Sequence, residues 1–300
     1  MTELILAQQT GLDTPDPAQT SVTPKPPRPF LPRLRQQMSW GLALSLLILL
    51  TAVLWAVVPG AFTGYDPMAG ETSEALQGPS FTHLFGTDQL GRDNYARLVY
   101  GSRLSLQAIV MAVAIALCVG SLFGLLAGFF GGAADTVIMR VVDLLLSIPS
   151  LLLSLALITV LGPGTTNVAI AVGLASVASF ARLMRAEVMR VRTATYVEAA
   201  AAVGARRSQI LVRHVLPNST GPVLAMAALE LGGAVLAVSS LSFLGYGAQP
   251  PTPEWGSLIS AGRDYMATAW WLTVLPGVVV TAIVLAANRL ARAIEREEEH

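Results

Sequence analysis

Six stretches of this chain carry no charged side chain: Trp40–Val58, Leu104–Phe130, Leu144–Leu161, Gly162–Ala181, Leu231–Leu244 and Trp270–Ala287. Crossing the hydrocarbon of a bilayer takes about 20 residues of helix, so these runs predict six transmembrane helices. The fifth is the shortest, because Glu230 interrupts an otherwise uncharged segment over Pro222–Leu244. Charged residues make up only 13% of the chain, against about 25% in a soluble globular protein. The expected fold class is therefore an all-α integral membrane protein.

The arginines orient it. An inward N-terminus places Lys25, Arg28, Arg33 and Arg35 in the cytosol, with Arg140 near the inner end of helix 3. Arg182, Arg185, Arg190, Arg192, Arg206, Arg207 and Arg213 follow, and then Arg289, Arg292 and Arg296. Only Arg92, Arg97, Arg103 and Arg263 remain outside, which satisfies the positive-inside rule. The first apolar run follows a long polar stretch with no small-residue cleavage site after it, so helix 1 reads as a retained anchor. Cys118 is the sole cysteine and excludes an intramolecular disulfide. No Cys/His metal spacing occurs.

Residues 1–36, with Pro24-Lys25-Pro26-Pro27, read as a disordered cytosolic tail. Residues 37–103 hold the first transmembrane helix and an extracytoplasmic segment. Residues 104–290 form a core of five transmembrane helices with a polar loop at 182–217, and 291–300 form a charged C-terminal tail. Asn94–Ser102 has a helical pattern leading into helix 2. Gly120, Gly124, Gly128 and Gly132 are spaced four apart there, which predicts close packing on another helix, within the chain or across a dimer. Arg140 and Asp143 stand three apart and are placed to pair. Pro149 should kink or break helix 3, and Gly162-Pro163-Gly164 should turn the chain into helix 4.

The polar loop is an arginine-bearing helical hairpin. Ala199–Ala202 are strong helix formers, Gly204 permits a tight turn, and Leu216-Pro217 should end its second helix. Small side chains suit insertion into a groove of another protein, with Glu198 offering a charge to a basic partner. Equally, a basic amphipathic helix can lie on anionic lipid. For Asp88, Arg92 and Asp93, one role is an outer loop folded by its own ion pairs; another is contact with a solute-delivering protein. Glu230 is either a hydrogen-bonding group inside the bundle or a pathway residue, since membrane carboxylates face the interior. Trp255 reads as a loop anchor.

The order Glu198-Ala199-Ala200, Gly204, His214, Leu216-Pro217 resembles the coupling loop of the membrane subunits of binding-protein-dependent ABC importers. Gly86-Thr87-Asp88 with Gly91-Arg92-Asp93, then Arg97, Gly101-Ser102-Arg103 and Ser105-Leu106, resembles the dipeptide/oligopeptide/nickel permeases, and among them the second of two permease subunits. Leu241-Ser242-Phe243-Leu244-Gly245 and Gln249-Pro250-Pro251-Thr252-Pro253-Glu254-Trp255-Gly256 fit the same family, as do Arg140, Asp143 and Ile148-Pro149. The likeness runs co-linearly over about residues 35–290. The chain departs from it at Val238, where the family often has Glu, and at Tyr246, where a smaller or aliphatic residue is common.

That resemblance implies a type I ABC importer permease in a prokaryotic plasma membrane, with both termini cytosolic. It implies a paralogous permease, two ABC ATPase subunits and an extracytoplasmic solute-binding protein as partners. Glu198, Ala199, Ala200, Gly204, Leu216 and Pro217 would couple the chain to the ATPases. The solute would be short peptides, or alternatively nickel, glutathione or another small compound. ATP and Mg would be bound by the ATPases, with no cofactor, metal or nucleic acid on this chain. Consistently, Lys25 sits among prolines rather than in a phosphate-binding Gly-rich loop, and no catalytic triad or histidine metal motif is present. A self-contained secondary transporter typically shows inverted repeats, and none is visible.

Overall fold

The computed structural model describes the backbone of residues 40–298 and the side chains of residues 40–293. The expected disordered tail, residues 1–36, and the last two residues lie outside the described part. The described elements are helical. Helix α1 is Trp40–Val57, α2 is Asn94–Phe130, α3 is Gly132–Leu146 and α4 is Ser150–Leu161. Helix α5 is Thr165–Arg192, α6 is Thr195–Ala202, and α7 is Arg207–Ile210. Helix α8 is Leu216–Leu241, α9 is Trp255–Gly262 and α10 is Trp271–Glu298. Among the described residues, five helices are long and apolar enough to cross a membrane. A sixth span follows if α3 and α4, bent by 95° at Pro149, are counted as one broken crossing. The break has the expected cause: proline lacks the N–H and its ring displaces the preceding turn.

The glycine stripe decides how the bundle packs. A side chain at Gly120 would lie 2.5 Å from Phe180 Cβ and 2.6 Å from the Val177 carbonyl. One at Gly124 would meet the Ala181 carbonyl and Met184 Cβ, and one at Gly128 would lie 2.9 Å from Val188 Cβ. Helix α2 thus rests its backbone directly on α5, within the chain. Gly132 takes no part. The helix stops at Phe130, Gly131 turns with φ of 66°, and a side chain at Gly132 would meet nothing within 4 Å.

Around this contact the core fills with small and β-branched side chains. Ala108, Ile109, Ala112 and Val113 of α2 meet Val168, Ala169 and Val172 of α5, Val235 and Val238 of α8, and Val280, Ile283 and Val284 of α10. Val238 is thus a core residue. Helix α1 presents Leu44, Leu47, Leu50 and Leu54 outward, as a lipid-facing helix should.

Two expectations are corrected. Asp143 pairs not with Arg140 but with Arg182 of α5, at 2.7 Å. Its neighbour Asp135 takes Arg185, with Nη2 donating at 2.7 Å. Helix α3 packs against α5, so its carboxylates meet the arginines of the neighbouring helix. Helix α5 accordingly runs on to Arg192, carrying those arginines on its end. Second, Leu216-Pro217 does not end a helix. A π turn over Leu211–Val215 continues directly into α8, with the Leu216 N–H donating to the Leu211 carbonyl. The wider π turn makes room for the proline ring without breaking the helix.

Substituting Gly120 by valine should force α2 and α5 apart and cost about 1–3 kcal/mol. Detergent-solubilised Gly120→Val should lose its monodisperse peak on size exclusion at lower temperature than wild type. Gly221→Ala, which meets nothing within 4 Å, should behave as wild type. Equal stability of the two variants would disprove the α2–α5 contact.

Candidate functional site

The hairpin between α5 and α8 is compact and exposed. Helix α6 closes with a pair of hydrogen bonds typical of a glycine-terminated helix. The Ala205 N–H donates to the Ala200 carbonyl at 3.1 Å, and the Gly204 N–H to the Ala201 carbonyl at 3.0 Å. Gly204 has φ of 87°, the left-handed geometry this motif needs and glycine supplies without strain. Gln209 Oε1 then accepts from the Arg206 N–H at 3.0 Å and starts α7. One side of the hairpin is anchored: Val197, Ile210 and Val215 are buried against Phe180, Met184 and Val188 of α5 and Val223 of α8. The opposite side is bare. Glu198, Ala199, Ala201, Ala202 and Gly204 are exposed, Ala200 is half-buried, and Val203 is 86% exposed at the tip. Leu216 packs into the anchoring cluster, while Pro217 is exposed.

Glu230 lies far from the hairpin tip, in the middle of α8. Its Oε1 accepts a hydrogen bond from Ser176 Oγ of α5 at 2.7 Å. The carboxylate borders a cavity of about 280 Å³ lined also by Ser150, Ser154, Gly233 and Ser240. The serines were not singled out in the sequence. Single hydroxyls in apolar helices carry no pattern until the helices are brought together.

Residues 120–299 match the family of binding-protein-dependent transport system inner membrane components. The dipeptide transport system permease protein DppC of Alkalihalophilus pseudofirmus is 39% identical over 263 residues, spanning 87% of this chain and 86% of that protein. The chain belongs to this permease family. The glutathione transport system permease protein GsiD of Pectobacterium atrosepticum is 37% identical, over 86% of this chain and 85% of that one. A crystal structure of an amino acid ABC transporter with histidines contains a chain that superposes with a TM-score of 0.54 at 15% identity. The superposition covers 68% of this chain and 94% of that one, a likeness of fold.

The permease's α1–α2 loop is built around buried charges. Asp88 Oδ2 accepts from Arg92 Nε at 2.7 Å and lies 3.7 Å from Arg97 Nε, while Oδ1 accepts from the backbone N–H groups of Leu90 and Arg92. Asp93 caps α2 by accepting from the Ala96 N–H at 2.6 Å, and its second oxygen faces His83 Nδ1 at 2.9 Å. Arg97 ties two loops together, donating to the Pro67 carbonyl at 2.8 Å and the Pro251 carbonyl at 3.3 Å. Asp88, Arg92 and Asp93 are thus buried within the loop. Phe81, Leu84 and Leu90 are exposed on its surface, beside polar residues such as Asp66, Glu71 and Gln77. Trp255 is the anchor expected of it: fully buried, with Nε1 donating to the Leu98 carbonyl at 3.2 Å.

Beside Trp255, Glu254 is fully buried as well. Its Oε1 accepts from the Gly256 N–H at 3.4 Å. Burial pushes the carboxyl above its ordinary range, with Ser242 and nearby backbone N–H groups opposing the shift. For an acid whose folded pKa is raised, the native state holds the proton that the unfolded chain has released. Stability then falls as pH rises above the ordinary carboxylate range. A glutamine keeps the accepting oxygen and has no proton to lose. The wild type's thermal midpoint should therefore decline as pH rises above the ordinary carboxylate range, and Glu254→Gln should flatten that decline. A decline of unchanged slope would show that Glu254 is not the group responsible.

Proposed function

We propose that this permease forms half of the membrane pathway of an ATP-driven importer of short peptides. A paralogous permease supplies the other half. Two ABC ATPases in the cytosol bind ATP and Mg, and an extracytoplasmic protein delivers the solute. The observation that carries this reading is the hairpin, which is locked on one side to α5 and α8 and offers Glu198, Ala199 and Val203-Gly204 on the other. A groove on an ATPase is the partner such a small-residue tip fits, and Glu198 adds a charge for a basic residue in it.

The mechanism follows from the anchoring. Val197, Ile210 and Val215 bury their side chains against α5 and α8, so displacing the hairpin displaces those helices as a unit. The same two helices carry Ser176 and Glu230. Closure of the ATPases on ATP would thus be transmitted as a rigid-body change between inward and outward openings. Peptides are the solute class favoured by the named relatives. Glutathione, named for one of them, is the second reading, and it is itself a small peptide.

Gly204→Asp tests the coupling role. Aspartate enters left-handed backbone more readily than most residues, so the hairpin should stay folded while bulk and charge block docking. The variant should insert normally and lose ATP-dependent dipeptide uptake in proteoliposomes by about tenfold or more, a cost of roughly 1.4 kcal/mol or greater. Wild-type uptake would refute the coupling assignment. Charge reversal at Glu198→Lys should weaken recovery of the ATPases on affinity purification, and undiminished recovery would remove Glu198 from the contact. Peptide uptake by the wild-type chain alone, without ATP or ATPases, would identify a secondary transporter instead.

A further inference from the structure

We infer that the cavity at Glu230 is a transient binding site for the free ammonium group of the transported peptide, with Glu230 as its counter-ion. The inference rests on the peptide-import reading above.

The cavity lies near mid-membrane. Ser176 is eleven residues from the start of α5 and Glu230 eleven from the end of α8, about 16 Å along each helix. Those two helix ends are joined, since the Gly164 N–H donates to the Tyr246 carbonyl at 2.8 Å. The hydrocarbon half-thickness is about 15 Å.

A carboxylate at that depth is costly unless it meets a cation, water or a polar path. Among the described residues, no arginine, lysine or histidine forms an ion pair with Glu230. Ser176 satisfies one oxygen only. The other oxygen lies 3.9 Å from where a Gly233 side chain would stand, on the face of α8 that lines the cavity. The missing side chain of Gly233 therefore leaves that oxygen accessible.

The remaining lining suits an ammonium. Ser154 and Ser176 already donate their hydroxyl protons, to the Ser150 carbonyl and to Glu230, which leaves oxygen lone pairs to accept from N–H groups. Leu151, Val172, Leu236 and Ala237 supply apolar walls. Helix α4 begins at Ser150 on the same cavity, and the N–H groups of its first turn have no intrahelical acceptor. They can face the carbonyl or carboxylate oxygens of a zwitterion, as half-helix ends do in other transporters. The volume, about 280 Å³, is at the low end for ligand sites and matches one end of a peptide. Ser150, Gly233 and Ser240 are exposed at its mouth. A face bearing a carboxylate is unsuited to lipid, so it turns toward the pathway shared with the second permease.

The test uses the assembled complex in proteoliposomes, with loaded binding protein and a dipeptide bearing a free amino terminus. Glu230→Gln preserves shape and the Ser176 hydrogen bond while removing the charge. Uptake should fall about tenfold or more, the scale of a lost charge-assisted hydrogen bond. ATPase stimulation by loaded binding protein should persist, and Glu230→Asp should recover part of the uptake. Wild-type uptake in Glu230→Gln would overturn the proposal. So would equal loss of assembly in Glu230→Gln and Ser176→Ala, which would make the pair a structural tie.

A second measurement needs no variant at all. A dipeptide carrying a photoreactive side chain, trapped in the wild-type complex during turnover, should label residues 150–154, 172–176 or 233–240. Labelling confined elsewhere would overturn the site. Absence of any ATP-dependent dipeptide uptake by the wild-type complex would instead sink the peptide-import reading, which separates the two failures.

Discussion

Helix α2 lies against α5 backbone to backbone, because Gly120, Gly124 and Gly128 leave no side chain between them. In a bilayer this contact has no hydrophobic driving force of the aqueous kind, so close van der Waals approach must supply it. Much else depends on that seam. It sets the position of α5, and α5 carries Ser176 beside Glu230, the arginines that pair with Asp135 and Asp143, and the buried valines that hold the hairpin. A shift of α5 would disturb the cavity and the hairpin together.

The hairpin and α8 are joined without a break. The π turn over Leu211–Val215 passes Pro217 into the long helix, so no flexible linker separates the exposed tip from the membrane segment. A hinge there would dissipate a push applied at Val203-Gly204. Continuous helix on one arm and a buried apolar anchor on both make the hairpin stiff. Its alanines hold the short helix through their backbone carbonyls, while the side chains of Ala199, Ala201 and Ala202 stay exposed.

At the opposite end, stiffness comes from charge and burial. Asp88, Arg92, Asp93 and Arg97 are shielded from solvent, and Asp88 gathers the Arg92 guanidinium and two backbone N–H groups while Arg97 donates to two loop carbonyls. Breaking such a buried pair strands a charge in a poor solvent, a far larger cost than losing a surface pair. Trp255 pins the second loop against the N-terminal part of α2, its backbone N–H donating to Ser105 Oγ and its Nε1 to the Leu98 carbonyl. The loop therefore behaves as a cap built on α2, with apolar Phe81 and Leu84 left on its surface.

Uncharged runs of membrane length determined from sequence alone that the chain is helical and crosses a bilayer several times, because an unpaired backbone cannot be left in hydrocarbon. Gly204 and the alanines before it determined the hairpin, since backbone left-handedness and small size are properties of single residues. Proline at 149 likewise announced the break. Pairings were not legible. Arg140 and Asp143 look matched at a spacing of three, yet the tertiary packing of α3 on α5 gives Asp143 to Arg182. Leu216-Pro217 looks like a helix end, yet a π turn absorbs the proline. The cavity at Glu230 exists only because α4 and α5 converge with α8, whose Glu230 stands 54 residues from Ser176, bringing isolated serines around one carboxylate. Local rules govern backbone conformation, but which side chains meet is decided by how whole helices pack.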